Sequence, residues 1–173
     1  SSKKSGWYNK ESLISLNTPN EIIISQGEKD VFDSWLIGNS EERDSNISFI
    51  IRSPLDIEAV YHREYFLQLN SLYGNPIGTG WYEEDSTAVI SIEKELMMPG
   101  FVGFLGGKVI FDKWNSEILS KNNIANVYMD SSKTITAYWR GDYTITFIIV
   151  ALILVIVVAL LTLAILKRHK KTI

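Results

Sequence analysis

The feature that most constrains this chain is a run of 22 residues, 145–166, without charge, glycine or proline. A helix of this length rises about 33 Å, enough to cross a hydrocarbon core of about 30 Å. A buried helix in a soluble protein rarely stays apolar on every face over such a length. The sequence therefore predicts a transmembrane helix from Ile145 to Leu166.

Basic residues follow this run directly, in a tail that begins with Lys167 and Arg168. Because positively charged segments stay on the cytoplasmic side, the tail 167–173 is predicted to be cytoplasmic. Residues 1–144 then form an extracellular head, and the chain is a single-pass protein of the cell membrane. The lipid bilayer is its first predicted partner.

The head and the tail carry opposite charge. All 20 acidic residues lie in the head, and four of the 17 Lys and Arg lie in the tail. The head therefore has a formal charge of −7 and the tail of +4. An acidic head argues against nucleic acid as a partner, whereas the tail suits anionic lipid headgroups.

The chain contains no cysteine, so its external head has no disulfides. This is atypical of small eukaryotic secreted domains and is expected of a prokaryotic surface or of a hot or acidic habitat. The chain lacks an initiator Met and a signal peptide, although its topology requires export. We therefore expect Ser1 to begin either a processed mature form or the C-terminal piece of a longer precursor.

The head contains an internal repeat. Gly-Trp-Tyr occurs at residues 6–8 and again at 80–82, and Phe-Asp-x-Trp occurs at 32–35 and again at 111–114. Tryptophan is rare, so two tryptophan matches in the same order are a specific signal of duplication. The matched aromatic residues, including Trp and Phe, are expected to fill the cores of two small domains.

The repeat predicts two modules, residues 1–64 and 65–144. The second opens with Tyr65-Phe66-Leu67-Gln68-Leu69, whose alternation is typical of a strand, and the first lacks an equivalent. An upstream segment is expected to have supplied that strand. The fold class is thus mainly β, with two β-grasp-like or sandwich-like modules and one C-terminal transmembrane helix. Alternation of β-branched residues predicts further strands at 21–25, 47–51, 86–92, 108–111 and 133–139.

The second copy resembles the divergent internalin B-type repeat of bacterial and archaeal surface proteins. The motifs that carry the resemblance cover nearly the whole copy, in the family's order. They are Tyr65-Phe66-Leu67-x-Leu69, Tyr73-Gly74, Gly78-Thr79-Gly80-Trp81-Tyr82, Ser86-Thr87-Ala88-x-Ile90-Ser91, Phe111-x-x-Trp114 and Thr134-Ile135-Thr136-Ala137-Tyr138-Trp139.

This variant of the repeat looks most like archaeal surface proteins, including segments attached to thermopsin-type acid proteases. The resemblance implies a β-grasp-like spacer, adhesion or assembly module without catalytic residues. The chain departs from the family where a glycine usually follows Gly-Trp-Tyr. Glu84-Asp85 stands there in the second copy and Lys10-Glu11 in the first.

No catalytic, metal-binding or cofactor-binding residues are predicted, and the chain is not expected to be an enzyme. The head has no cysteine and a single histidine, His62, which excludes motifs built on several histidines. His62 is expected to be a solvated edge residue just after a strand, and Glu83-Glu84-Asp85 to be a polar turn. Asn46, in Asn46-Ile47-Ser48, fits the signal for external glycosylation.

The segment 96–107, here called the apolar loop, is the most functional-looking part of the head. It is uncharged and rich in glycine, and it lies where the second copy carries an insertion. It is either a covered hairpin of the core or an exposed loop that docks onto a partner or the outer leaflet. The candidate contact residues are Met97, Met98, Phe101, Val102, Phe104 and Leu105.

The sequence thus favours a non-catalytic, membrane-anchored surface protein. It would be a structural or accessory subunit of a membrane complex or a surface layer, with other membrane or surface-layer proteins as partners. One alternative is the anchored C-terminal remnant of a secreted, thermopsin-like hydrolase precursor. Another is a glycan-binding surface module that uses the tryptophans. No feature of the anchor decides whether the chain forms a homo-oligomer.

Overall fold

The computed structural model describes residues 6–115, 118 and 120–170. The predicted fold class is confirmed at the level of architecture, because the chain is mainly β with one long apolar C-terminal helix. The elements are β1 (Leu13–Asn17), β2 (Glu21–Ser25), β3 (Glu28–Ile37), β4 (Ser40–Glu42), β5 (Asn46–Ile50), β6 (Ile57–Ser71), β7 (Gly80–Glu83), β8 (Ser86–Ser91), β9 (Glu95–Met97), α1 (Gly100–Phe104), β10 (Lys108–Trp114), β11 (Ile124–Met129), β12 (Lys133–Asp142) and α2 (Thr144–Lys170).

The described residues form two compact units. The first unit runs up to Gln68 and also contains residues 79–88 and 127–134, and the second contains the rest. Four strands, β6, β8, β11 and β12, contribute residues to both units. The predicted boundary between Glu64 and Tyr65 falls inside β6. The division into repeat modules therefore stays a prediction.

In the first unit, β3 pairs antiparallel with β2, β4 and β6, and β7 pairs antiparallel with β6. β1 and β5 form a separate antiparallel pair, with Leu13 opposite Ile50. In the second unit, β10 pairs antiparallel with β9 and with β12. β8 and β11 form another two-stranded sheet.

A β-bulge in β3 organises the aromatic core of the first unit. Phe32 lies opposite Tyr61 of β6, and the register then shifts by one residue at Asp33. Residues three apart on a regular strand face opposite sides, but the extra residue brings Phe32 and Trp35 to the same side. Their ring centroids lie 5.7 Å apart, and Phe32 also meets Tyr61 edge-on at 5.6 Å.

The second unit contains the same arrangement on β10. Phe111 lies opposite Trp139 of β12, and the register shifts at Asp112. The centroids of Phe111 and Trp114 lie 5.2 Å apart, and Phe111 meets Trp139 edge-on at 6.0 Å. Both Phe-Asp-x-Trp segments therefore use one extra residue to place two aromatic rings in one core.

The expected burial of the tryptophans is confirmed for Trp35 and Trp114, which are almost fully buried. Their indole N–H groups donate to the backbone carbonyls of Ser45 (3.4 Å) and Asn122 (3.1 Å). The expectation is wrong for the two Gly-Trp-Tyr segments. Trp7 is fully exposed because residues 6–9 form no strand, and Trp81 of β7 is partly exposed.

The buried apolar side chains of each unit come from alternate positions of its strands. In the first unit they are Trp35, Tyr65, Leu67, Ala88, Val127 and Met129. In the second they are Leu69, Ile90, Ile92, Val109, Phe111, Trp114, Ala125, Ile135 and Ala137.

One residue, Tyr143, lies between the end of β12 and the start of helix α2. The sequence of α2 is rich in Ile and Val, which favour strands in water. A helix bonds every backbone group within the segment, which is what a hydrocarbon core requires of a single span. Residues Thr144–Arg168 are long and apolar enough to cross a membrane, and none of the apolar window is buried against the described chain. The predicted limits Ile145 and Leu166 lie inside this span.

Two turns share an unusual backbone conformation. Glu11 and Asp85 have φ values of 69° and 61°, and they are the two non-glycine residues with positive φ in the described ranges. Each stands five residues after the glycine of a Gly-Trp-Tyr motif. A side chain in this left-handed region costs roughly 1–2 kcal/mol, which explains why a glycine suits the position.

We predict that Glu11→Gly raises the free energy of unfolding by about 0.5 kcal/mol, because relief of the left-handed strain exceeds the entropic cost of glycine. Lys10→Gly is the control in the same turn and should lower stability, because Lys10 has no positive φ to relieve. Denaturant unfolding of the full chain in detergent compares the two variants. Equal destabilisation by both would contradict the prediction.

Candidate functional site

The apolar loop, residues 96–107, is exposed in the structure. It folds as the short helix α1 between β9 and β10, and Phe101 and Phe104 are 73% and 83% exposed. Their rings stack at 6.3 Å with an interplanar angle of 24°. The covered-hairpin alternative is therefore wrong for these two residues. Among the other candidates, Met97 and Val102 are exposed and Met98 and Leu105 are half-buried.

Backbone hydrogen bonds hold the loop in this shape. Met98 N–H donates to the carbonyl of Gly107, and Gly107 N–H donates to the carbonyl of Val102, both at 2.9 Å. Gly103 is buried, and a Cβ there would lie 1.7 Å from the carbonyl oxygen of Met98. The loop therefore has a defined fold that presents its apolar side chains outward.

The start of helix α2 is capped by Asp142. Its Oδ1 accepts hydrogen bonds from the backbone N–H of Thr144 at 3.0 Å and from the Thr144 hydroxyl at 2.7 Å. These two bonds lower the pKa of Asp142, and the positive charges of Arg140 and Lys108 act in the same direction. The capping carboxylate is thus ionised at neutral pH, where it also complements the helix dipole.

A network of ion pairs that was not predicted from the sequence lies on β2, β3 and β6. Lys29 is only 8% exposed, and its Nζ lies 2.7 Å from Glu21 and 3.1 Å from Glu64. The same Nζ lies 4.8 Å from the centroid of the Trp81 ring. The hydrogen bond that Lys29 donates to Glu21 raises the pKa of Lys29, and Glu64 adds to this against the opposite effect of burial. A lysine held protonated in this way stabilises the sheet and does not suit a role as a base.

Arg63 forms a second part of this network. Its guanidinium contacts both oxygens of Asp30, with Nε at 2.8 Å, and it also pairs with Glu28. A sequence signal exists for both clusters. Charges of opposite sign alternate in Glu28-Lys29-Asp30 and in the facing segment His62-Arg63-Glu64, so that cross-strand neighbours are complementary.

The expectation that His62 is a solvated residue just after a strand is wrong. His62 lies inside β6 and is half-buried, with Nδ1 at 2.7 Å from Asp33 Oδ1 and Nε2 at 3.6 Å from Glu64. Burial lowers its pKa, but the hydrogen bond and charge of Asp33, with Glu64 and Glu83, raise the pKa more. The bulge places Asp33 beside this imidazole.

The tryptophans do not form one shared stacking surface in the first unit. Lys29 occupies a face of Trp81, whose ring also meets Phe66 edge-on at 5.2 Å. Trp7, by contrast, is exposed.

The remaining sequence expectations concern surface positions. Of the expected polar turn Glu83-Glu84-Asp85, Glu84 and Asp85 form the turn, whereas Glu83 is the last residue of β7. Asp85 accepts a hydrogen bond from the Tyr128 hydroxyl at 2.5 Å. Asn46 begins β5 and is exposed, which leaves its glycosylation a prediction. Lys167 and Arg168 continue α2 beyond the apolar span.

Among the described residues, no group of three or more His, Cys, Asp or Glu side chains is placed to hold a metal ion. Two open depressions lie in the first unit, one beside Phe32 and Arg43 and the other beside Ile37 and Phe49. No protein-family model, curated protein or solved structure matches the chain.

We predict that His62 makes the stability of the head depend on pH. Because its folded-state pKa lies above the usual 6.5, its contribution is full below about pH 6.5 and is lost as the pH rises through the folded value. His62→Gln should remove this component, whereas His169→Gln in the tail should retain it. Unfolding midpoints measured between acidic and mildly alkaline pH test this. An unchanged pH profile in His62→Gln would show that the imidazole is not the responsible group.

Proposed function

We propose that this chain is a single-pass membrane protein with a β-rich extracellular head and that it acts as a non-catalytic structural or accessory subunit. The observation that carries this proposal is the uncovered apolar surface of α2, since none of its apolar window packs against the described head. In water such a surface would be strongly unfavourable, whereas a bilayer solvates it on every side. A membrane is therefore the environment that fits the helix.

The distribution of charge supports the orientation. Lys167, Arg168 and two further lysines follow the apolar span, and every acidic residue precedes it. Positive residues next to a span favour the cytoplasmic side. This supports a head outside the cell and the basic residues after the span inside it.

The packing of the head supports a structural role. The same bulged Phe-Asp-x-Trp arrangement occurs on β3 and on β10, which supports duplication of one module. Repeated β modules without a recognisable catalytic set suit spacing, adhesion or assembly, as the resemblance to internalin B-type repeats implies. The ionisable groups around Lys29 and Arg63 are paired with each other, which suits a stable surface more than proton transfer.

The junction with the membrane favours an accessory subunit over a surface-layer stalk. A single residue, Tyr143, separates the end of β12 from the start of α2. The second unit is therefore tied close to the bilayer, where the exposed surface of another membrane protein would be within reach. A long stalk would instead need a spacer between the sheet and the helix.

We predict that the full chain stays in the membrane pellet after alkaline extraction. Replacing Leu154 and Val155 with lysine should release it, because each charge near the middle of a span costs about 2.5–3.5 kcal/mol. Leu154→Val with Val155→Leu is the matched apolar control and should remain in the pellet. Release of the unmodified chain would contradict the membrane assignment.

The accessory role predicts a stable partner. Gentle detergent extraction from the source membrane, followed by native electrophoresis and mass spectrometry, should recover the chain in a complex with other membrane proteins. Recovery as a lone monomer at all detergent concentrations would contradict this role while leaving the membrane assignment intact.

A further inference from the structure

We propose that the apolar loop is a second membrane contact, which inserts Phe101 and Phe104 into the outer leaflet beside α2. The inference rests on the proposed function, because it takes α2 to span the bilayer. It commits to lipid as the occupant of the loop's exposed surface, and a protein partner becomes an outcome of the test.

The strand register places the loop where the chain enters the membrane. Lys108 at the start of β10 lies opposite Met97 at the end of β9 and opposite Asp142 at the end of β12. The loop leaves the sheet between Met97 and Lys108, and α2 begins just after Asp142. Both segments therefore project from the same end of the three-stranded β9-β10-β12 sheet.

Close contacts join the loop to the first turn of the helix. A Cβ on Gly106 would lie 2.5 Å from Cγ2 of Ile145, and a Cβ on Gly107 would lie 3.2 Å from Oγ1 of Thr146. Gly106 also has a φ of 84°, which favours glycine. The two glycines thus allow the loop backbone to lie directly against the first turn of α2, so the exposed Phe101 and Phe104 belong to a segment that contacts the helix at Ile145 and Thr146.

Charges mark the level at which both segments become apolar. The Lys108 ammonium lies 2.7 Å from Glu95, and Asp142 lies opposite Lys108 in the register. Beyond Glu95, Lys108 and Asp142, residues 96–107 and 143–166 contain no ionisable group except Tyr143. Charged groups at the headgroup level followed by apolar and aromatic side chains are typical of an interfacial membrane contact.

The shape of the exposed surface suits lipid. Phe101 and Phe104 stack side by side, and Met97 and Val102 are exposed in the same short segment. A contiguous apolar surface of this kind marks a protein or membrane contact when it is exposed on a soluble domain. The close approach of Gly106 to Ile145 favours lipid as the occupant, because under the proposed function the bilayer surrounds α2 beside the loop.

The test uses the full chain in vesicles of phosphatidylcholine and phosphatidylglycerol. The chain has no cysteine, so single-cysteine variants can be labelled cleanly with an environment-sensitive fluorophore. Phe104→Cys reports the loop with Phe101 retained, Val155→Cys reports α2, and Ser131→Cys, in the exposed turn before β12, reports the aqueous phase. Quenching is compared among lipids with a nitroxide near the headgroup, lipids with a nitroxide near the chain end, and aqueous iodide.

We expect the loop label to be quenched more by the shallow nitroxide than by the deep one and to be shielded from iodide. The α2 label should show the opposite depth preference. If the α2 label responds to lipid and the loop label responds to iodide like Ser131→Cys, the loop inference is wrong and the anchor stands. If the α2 label itself lacks lipid quenching, both proposals fail. A loop label shielded from both quenchers would indicate a protein contact and overturn lipid as the occupant.

A second pair of variants separates insertion from folding. With a label at Met97→Cys, the change of Phe101 and Phe104 to serine should raise iodide quenching several-fold, because the loop leaves the leaflet. The change of both to leucine should keep the label shielded. Circular dichroism should show the same strand content in both variants. Equal iodide access in the two would contradict insertion through these side chains.

Discussion

The extra residue in each Phe-Asp-x-Trp strand is the constraint on which the packing of the head depends. If Asp33 and Asp112 were ordinary paired residues of a regular strand, the phenylalanine and the tryptophan of each motif, three residues apart, would face opposite sides of the sheet. With the extra residue, Trp35 and Trp114 reach cores in which their N–H groups also find a backbone carbonyl. The bulge in β3 has a second effect, because it brings the carboxylate of Asp33 to His62.

In the second unit, charged and apolar residues are separated along the chain near one end of the β9-β10-β12 sheet. Lys108 begins β10 and Asp142 ends β12 at the end of the sheet from which the apolar loop and α2 leave, and Glu95, at the start of β9, pairs with Lys108. Asp142 caps α2. Immediately beyond these charged residues the chain is apolar, both in the loop and in α2. One end of a three-stranded sheet therefore combines charged pairing with apolar exposure, which fits a sheet that stands on a bilayer surface.

Much of this architecture can be predicted from the sequence, since simple periodicities carry it. Alternation predicts strands such as β2, β8 and β12, and uninterrupted apolar length predicts α2. The sequence does not predict the bulges, because a spacing of three residues between Phe and Trp fits no regular strand face. It also hides the continuity of β6. Two strand signals, around Tyr61 and around Leu67, were assigned to separate modules, although no glycine or proline stands between them.

The errors at individual side chains have the same origin. The expectation for His62 used local pattern alone, whereas cross-strand carboxylates determine the surroundings of both His62 and Lys29. Trp7 matches Trp81 in sequence, but only Trp81 lies on a strand that pairs with a neighbour. Equivalent residues therefore differ in burial because only one of them lies on a paired strand. The apolar loop was recognisable from composition, and its position beside Ile145 required the register of three strands.

The one-residue junction between β12 and α2 has a mechanical consequence. A flexible linker would let a head rotate freely, but here a hydrogen-bonded strand continues into a capped helix through Tyr143 alone. A sideways force on the second unit is therefore transmitted to the helix as a bending moment, and a twist of β12 becomes a rotation of the span. In the proposed membrane setting, a tilt of the second unit would therefore also tilt α2 and displace the end of the helix on the opposite side of the bilayer.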